Sequence, residues 1–320
     1  MSQKRTIALS MALACTAPMA ASATDAHREA NFTGPLVTPA VNSMPAGMFN
    51  IEPYLIHTNT RGSYDNAGGR KERKPTVRQW QVAMPLTYAL TDTQFVQLTL
   101  NASRTSGDGL HSDGMRMGDS AIRFQQRLCG PDADGGGLVL ALALQQRLPT
   151  GKYHHLDTNP LNGTGNGAMR TTLAFGAQQL HWLDDGHALR WRTQLAWSPS
   201  PGRIRVRDGS VYGTQSGFRG QARLGQAWNA SVAAEYVLDP RWVLVGEAIW
   251  NRASAVTLHG TGDGSQLARR LAPSQEFSLA PAVEYHFSPN LGLIAGVQFT
   301  VAGRNTADYV APQVALNMVF

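Results

Sequence analysis

The amino-acid sequence predicts an all-β fold, a closed antiparallel transmembrane β-barrel of about 12 strands with short periplasmic turns and long outer loops. Three observations lead there. Apolar residues recur at every second position along short segments. The connections between those segments alternate between long and short. No stretch approaches the roughly 18 apolar residues of a membrane-spanning helix; the longest apolar run beyond the N-terminus, Leu138 to Leu144, reads LVLALAL.

The final residues show the period of two most plainly. Phe320, Met318, Leu316, Val314, Pro312 and Val310 form an apolar stripe, interleaved with Val319, Asn317, Ala315, Gln313, Ala311 and Tyr309. Side chains of a strand point to opposite faces in turn, so such a segment has one oily and one wet face. The same alternation runs through Trp80, Val82, Met84, Leu86, Tyr88 and Leu90, and again through Leu138, Leu140, Leu142 and Leu144. Leu189, Trp191, Thr193, Leu195 and Trp197 repeat it, as do Phe277, Leu279, Pro281, Val283, Tyr285 and Phe287.

Taken in order, residues 1–23 read as a signal peptide. Lys4 and Arg5 supply the positive region, Thr6 to Ala14 the apolar region, and Ala21, Ser22 and Ala23 the small-residue cleavage site. Removing them takes two of 28 basic side chains and none of 22 acidic ones, which lowers the formal charge from +6 to +4. Cys15 leaves as well, so Cys129 is the one cysteine of the mature chain and no intramolecular disulfide is expected there. A closed hydrogen-bonded sheet then has to supply the rigidity. Residues 24–46 are proline-rich without alternation, which suits either a periplasmic extension or a small plug in the lumen.

The barrel is expected over 47–320, with strands at 47–59, 77–90, 93–104, 117–129, 137–148 and 168–182, then 188–199, 223–238, 241–252, 274–288, 291–302 and 308–320. Long connections fall at 60–76, 105–116, 149–167, 200–222 and 253–273; short ones, with turn residues such as TDT, LDDG, LDPR and SPN, lie between. Only the outer connection 303–307 is brief. A soluble sandwich has no reason to alternate its loop lengths, whereas an outer-membrane barrel does. In lipid every backbone N–H and C=O needs a partner, so a sheet can span only by closing on itself. The apolar stripe then faces outward, with Trp80, Tyr88, Trp182, Trp191, Trp197, Trp242, Trp250, Tyr285, Phe287 and Phe320 gathering at the two interfaces. Phe320 ends the strand that seals the barrel, and a terminal aromatic there looks like the signal read by the barrel-assembly machinery.

The polar stripe faces the lumen. It carries Arg123, Arg127, Arg147, Arg170, Arg190 and Arg192 on one arc, and Glu235, Glu247, Glu276 and Glu284 on the next, with His286 and Glu52 beside them. These charges either pair across a narrow lumen or set up a transverse field that sorts solutes in a wet pore. Other motifs carry less. Arg70 to Lys74 (RKERK) and Arg203, Arg205 and Arg207 make two outer loops basic, as solvated charge runs or as sites attracted to outer-membrane lipid. YHHLD at 153–157 holds ligand-type residues, but adjacent histidines share a metal poorly, and no metal or cofactor is expected. The glycine-rich 162–167 opens no helix, so a phosphate cradle fails its context. No basic–aromatic face suggests nucleic acid. His57 and His181 are the candidates for a lipid-cleaving Ser–His pair, yet neither has a serine convincingly placed on a neighbouring strand; no catalytic residue is assigned.

Several stretches together resemble one family. They are MFNIEPYLIHTNTRGSYD at 48–65, LTYALTD at 86–92, GDSAIRFQQRL at 118–128 and RLPTGKY at 147–153, followed by GTGNGAMRTTLAFGAQ at 163–178 and PAVEYHFSPNLGLIAGVQFTVAGRNT at 281–306. They are similar to bacterial outer-membrane proteins of the phenol meta-degradation pathway transporter-like family. The resemblance implies a β-barrel that takes up hydrophobic, often aromatic, compounds; no site residues come with it. The expected function is thus passive uptake of small organic molecules, aromatic or hydrophobic ones included, through the bacterial outer membrane. The alternatives are a lipid-directed barrel enzyme and a structural barrel with a packed lumen.

Overall fold

A computed structural model describes residues 30–132, 135–156, 159–262 and 264–320. The expected leader, residues 1–23, and residues 24–29 of the following segment lie outside the described residues.

Twelve staves form the wall. They are β1 (Phe49–Ile51 and, past Pro53, Tyr54–Tyr64), β2 (Arg70–Thr91), β3 (Gln94–Gly107), β4 (Ser120–Cys129), β5 (Leu138–Leu148) and β6 (Arg170–Trp182). They continue as β7 (Ala188–Ser198), β8 (Ala227–Val237), β9 (Trp242–Ala253), β10 (Ser274–Leu279 and, past Pro281, Ala282–Ser288), β11 (Leu291–Arg304) and β12 (Thr306–Val319). Every stave pairs antiparallel with its sequence neighbours. β12 then returns to β1, with Tyr54 opposite Ala315 and Asn50 opposite Val319. The Phe49 N–H donates to the Phe320 carbonyl at 3.0 Å and the Phe320 N–H to the Phe49 carbonyl at 2.8 Å. The last residue thus closes the ring, and no strand edge is left for lipid to solvate.

The alternation sorts the two faces as lipid requires. Leu138, Leu142, Leu144, Leu173, Phe175 and Leu195 are exposed on the outside, while Val139, Ala141, Ala143, Ala174 and Ala196 between them are buried. Aromatic girdles edge this belt. Trp242, Tyr285 and Phe287 pack together at the end with short turns, with ring centroids 4.7 and 4.9 Å apart, and Trp197 meets Trp228 near the other end at 6.1 Å. His57 and His181 belong to the aromatic contacts of the wall. His57 lies 4.4 Å from the Trp80 ring, and His181 Nε2 accepts the Trp191 indole N–H at 3.1 Å.

Three segments expected as long loops are instead largely strand. The 60–76 connection is a continuation of β1 and β2 into a hairpin whose turn spans 65–69. Residues 200–222 and 253–273 hold four strands, Gly202–Arg207, Arg219–Leu224, Val256–Gly262 and Ser265–Leu271, which form a separate antiparallel sheet beyond the ends of β7–β10. Arginines alternate with Ile204 and Val206 there as a strand demands, but the charge on the exposed side disguised the pattern as a solvated loop. The apolar side packs under Tyr153, Ala168, Tyr212 and Phe218, which the loops at 149–169 and 208–218 supply.

Candidate functional site: the lumen and the segment threaded through it

Residues 30–46 have no regular secondary structure, and they run inside the barrel. A backbone inside a membrane protein must find hydrogen-bond partners. The wall provides them as carboxylates. Glu284 on β10 accepts the Thr33 N–H at 2.6 Å and the Gly34 N–H at 3.1 Å. Glu247 on β9 accepts the Val37 N–H at 3.1 Å and the Thr38 N–H at 2.7 Å. On the other side of the lumen, Gln125 Nε2 on β4 donates to the Ala40 and Val41 carbonyls at 3.1 and 2.9 Å, and Arg127 donates to Asn42 at 2.6 Å. Asp92 accepts the Ala46 N–H at 2.8 Å where the segment joins β1.

Packing follows the same track. Leu36 is buried among Ala188, Val237, Val243, Val245 and Ile294, inward-facing apolar residues of four staves. The Arg190 guanidinium sits 3.7 Å above the Phe32 ring, a cation–π contact. Two wall glycines make room. A Cβ on Gly292 would stand 2.1 Å from Thr33 Oγ1, and one on Gly176 would stand 3.0 Å from Val41 Cγ2.

The ten residues read from the sequence as facing the lumen all sit on its side of the wall, in three distinct situations. Arg190 and Arg192 on β7 close on Glu235 of β8, which is fully buried; Arg190 Nε donates at 2.7 Å and a second Arg190–Glu235 contact is also made, while Arg192 Nε donates at 3.2 Å. Glu247, Glu284 and Arg127 hold the internal segment. Arg123, Arg147, Arg170 and Glu276 border cavities. His286 Nε2 lies 3.4 Å from Glu284, and Glu52 accepts the Tyr54 hydroxyl at 2.9 Å. The basic and acidic residues lie on neighbouring staves, and most of the carboxylates bond adjacent arginines or backbone amides of the internal segment.

Space remains on both sides of the segment. An outer cavity of about 560 Å³ is lined by Gln79, Gln81, Asn101, Gln145, Arg147 and Asn166. A second, of about 520 Å³, shares Gln145, Arg147 and Asn166 and adds Arg123, Arg170 and Glu276. A third, of about 460 Å³, has a more apolar lining that includes Phe32, Leu36, Met44, Tyr54 and Phe95. Pro39 and Arg123 belong to both the second and the third, so they mark the divide. Arg123 is nine-tenths buried; it donates to Gln125 at 2.7 Å and Gln194 at 3.1 Å, and its Nε has no partner among the described residues. Glu276 accepts from Tyr309 at 3.0 Å.

Sequence reasoning missed the amides of the outer cavity because Gln79, Gln81 and Asn101 carry no charge to draw notice. It also left open where residues 24–46 lie. The signal within reach was the stretch itself, proline-rich and without alternation directly ahead of the first strand.

A closed wall with an apolar outside, two aromatic girdles and a polar inside defines an outer-membrane β-barrel. The chain belongs to the family described as "Putative MetA-pathway of phenol degradation", whose model matches residues 67–312. It is similar to the COG4313 outer membrane channel from Pseudomonas putida F1 at 17% identity and a TM-score of 0.62, over 89% of this chain and 100% of that one. It is also similar to the NanC porin (7% identity, TM-score 0.41, 84% of this chain and 98% of that one). A third likeness is to the TodX monoaromatic hydrocarbon channel, as a deltaS2 mutant (11% identity, TM-score 0.38, 86% of this chain and 90% of that one). No curated protein matches. The internal segment at 30–46 precedes the part that the family model covers.

Proposed function

We propose that the barrel lets small organic molecules cross the outer membrane by diffusion, with residues 30–46 as its constriction and residues 1–23 as a cleaved leader. One observation carries this reading: an irregular segment, tethered by side chains rather than by strand pairing, separates polar cavities on the outer side from a more apolar one on the inner side. A barrel whose lumen serves only as structural packing has no need of roomy, amide-lined space above a removable tether. The apolar lining of the inner cavity, with Phe32, Leu36, Tyr54 and Phe95, suits aromatic or hydrophobic solutes, in line with the family's description. Arg123, Arg147 and Arg170 bias passage towards anions, because none of them is ion-paired among the described residues, whereas Arg190 and Arg192 are held by Glu235. Phe320 serves as the assembly signal.

The test is swelling of proteoliposomes that hold the mature protein in isosmotic solutions of a size series, from glycerol through benzoate to a disaccharide. Swelling with the small solutes and not with the disaccharide is expected. Rates equal to protein-free liposomes for every solute would reject the channel in favour of the packed barrel.

A further inference from the structure

The sheet beyond β7–β10 has one covered face and one bare face. Its cross-strand register places Arg203 opposite Arg223 and Arg207 opposite Arg219, while Arg205 faces Gln221. Arg223 is in turn opposite Thr257, and Thr257 opposite Arg270. All six arginines project from the face opposite the buried Val206, Ala222 and Leu258, and all six are exposed. No acidic residue occupies a position on that face in any of the four strands, and none of the six makes an ion pair or a side-chain hydrogen bond among the described residues. Elsewhere among the described residues several arginines meet a carboxylate: Arg70 has Asp308, Arg73 has Asp108, and Arg190 has Glu235.

Like charges directly opposite each other across strands destabilise a sheet. Asp208 at the tip of the hairpin partly answers Arg219, but Arg203 and Arg223 have no acid in their strands, an arrangement that makes sense where an external anion bridges them. The face is concave, with a hollow of about 620 Å³ lined by Arg203, Arg223, Gln221, Thr257 and His259. Guanidinium forks bind phosphate oxygens bidentately, and amide and hydroxyl groups complete such a site. Position supplies the occupant. The sheet begins five residues after Trp197 and ends its second strand four residues before Trp228, the paired rings of the outer girdle. At about 3.3 Å per residue and a stave tilt of about 40°, the near ends of these strands stand on the order of 10–13 Å beyond the girdle, beside the outermost, phosphorylated part of the leaflet's headgroups.

We propose that this six-arginine face docks the phosphorylated glycolipid headgroups of the outer leaflet, so that the extension anchors the barrel laterally in its own lipid. The site is independent of what crosses the lumen.

The experiment uses the mature protein in detergent and measures binding of a bisphosphorylated, acylated disaccharide lipid by native mass spectrometry, with the dephosphorylated lipid and inorganic phosphate as further probes. Retention of the bisphosphorylated lipid is expected, with loss of about tenfold in affinity for Arg203→Gln/Arg223→Gln/Arg270→Gln. Equal charge removal in the first hairpin, Lys71→Gln/Arg73→Gln/Lys74→Gln, should leave binding within twofold. Should the first triple variant fail to fold, Arg205→Gln/Arg207→Gln/Arg219→Gln is the replacement. Equal loss in the hairpin variant would reduce the effect to bulk charge and overturn the proposal. So would equal binding of the dephosphorylated lipid, or inorganic phosphate binding as tightly as the glycolipid.

Discussion

Replacing Glu247 and Glu284 together by Gln should free the internal segment and open the channel. Each carboxylate accepts two backbone N–H groups, from Val37 and Thr38 in one case and from Thr33 and Gly34 in the other. Glutamine keeps one acceptor oxygen and presents an NH₂ to the second amide, so one charge-assisted bond per site is lost. Such a bond is worth about 1.5–3 kcal/mol, hence roughly 3–6 kcal/mol for the pair. With about 1.4 kcal/mol for each factor of ten, the released state gains roughly two to four orders of magnitude in population. A second effect has the same sign. When the segment leaves the wild-type lumen it strands two carboxylates with fewer partners, and Gln removes that cost. Single-channel recording in planar bilayers is the assay, with a chain lacking residues 30–46 as the reference for an open lumen. Long openings that approach that reference are expected for the double variant. A deletion that conducts while the double variant behaves as wild type would refute the claim that these carboxylates hold the segment. A silent deletion would move the constriction to the wall itself.

Gly292→Val sets a side chain where Thr33 Oγ1 would be 2.1 Å from its Cβ; it should lengthen openings and lower stability by about 1–3 kcal/mol, with partial rescue by Thr33→Gly, read from conductance and from thermal unfolding in detergent. Arg147→Gln with Arg170→Gln should shift the reversal potential in a salt gradient towards cation preference, whereas Arg190→Glu with Arg192→Glu should destabilise the barrel instead, since it leaves the fully buried Glu235 facing like charge. The Gly217 N–H, at 3.0 Å, and the His155 ring, at 2.5 Å, hold the Asp208 carboxyl below the usual carboxylate range in an outer loop. A depressed acid stabilises above its unfolded value and loses that contribution as pH falls through the folded one, so hydrogen-exchange protection of residues 208–218 should hold at neutral pH and fade below about pH 4. Asp208→Asn should abolish that dependence.

How far the sequence was legible depended on the solvent each residue meets. Strand count and closure were readable because lipid tolerates neither a charge outside nor an unpaired edge, so Leu138, Leu142, Leu144 and the Phe320 terminus had to alternate. The outer sheet was less legible: with water on its arginine side, the pattern of Ile204 and Val206 between Arg203, Arg205 and Arg207 had no oily stripe to announce it. Inward-facing arginines and glutamates were legible by parity, but their partners were not.

The sequence by itself determined a twelve-stave closed barrel, its direction of facing and the set of charges turned inward, because period two and the bilayer leave one arrangement. Only the tertiary structure decided that residues 30–46 run through the lumen, that Glu247 and Glu284 bind its amides, and that Glu235 is taken by Arg190 and Arg192. Those pairings join positions some 40 to 250 residues apart, and no local pattern encodes which distant donor reaches a buried carboxylate first.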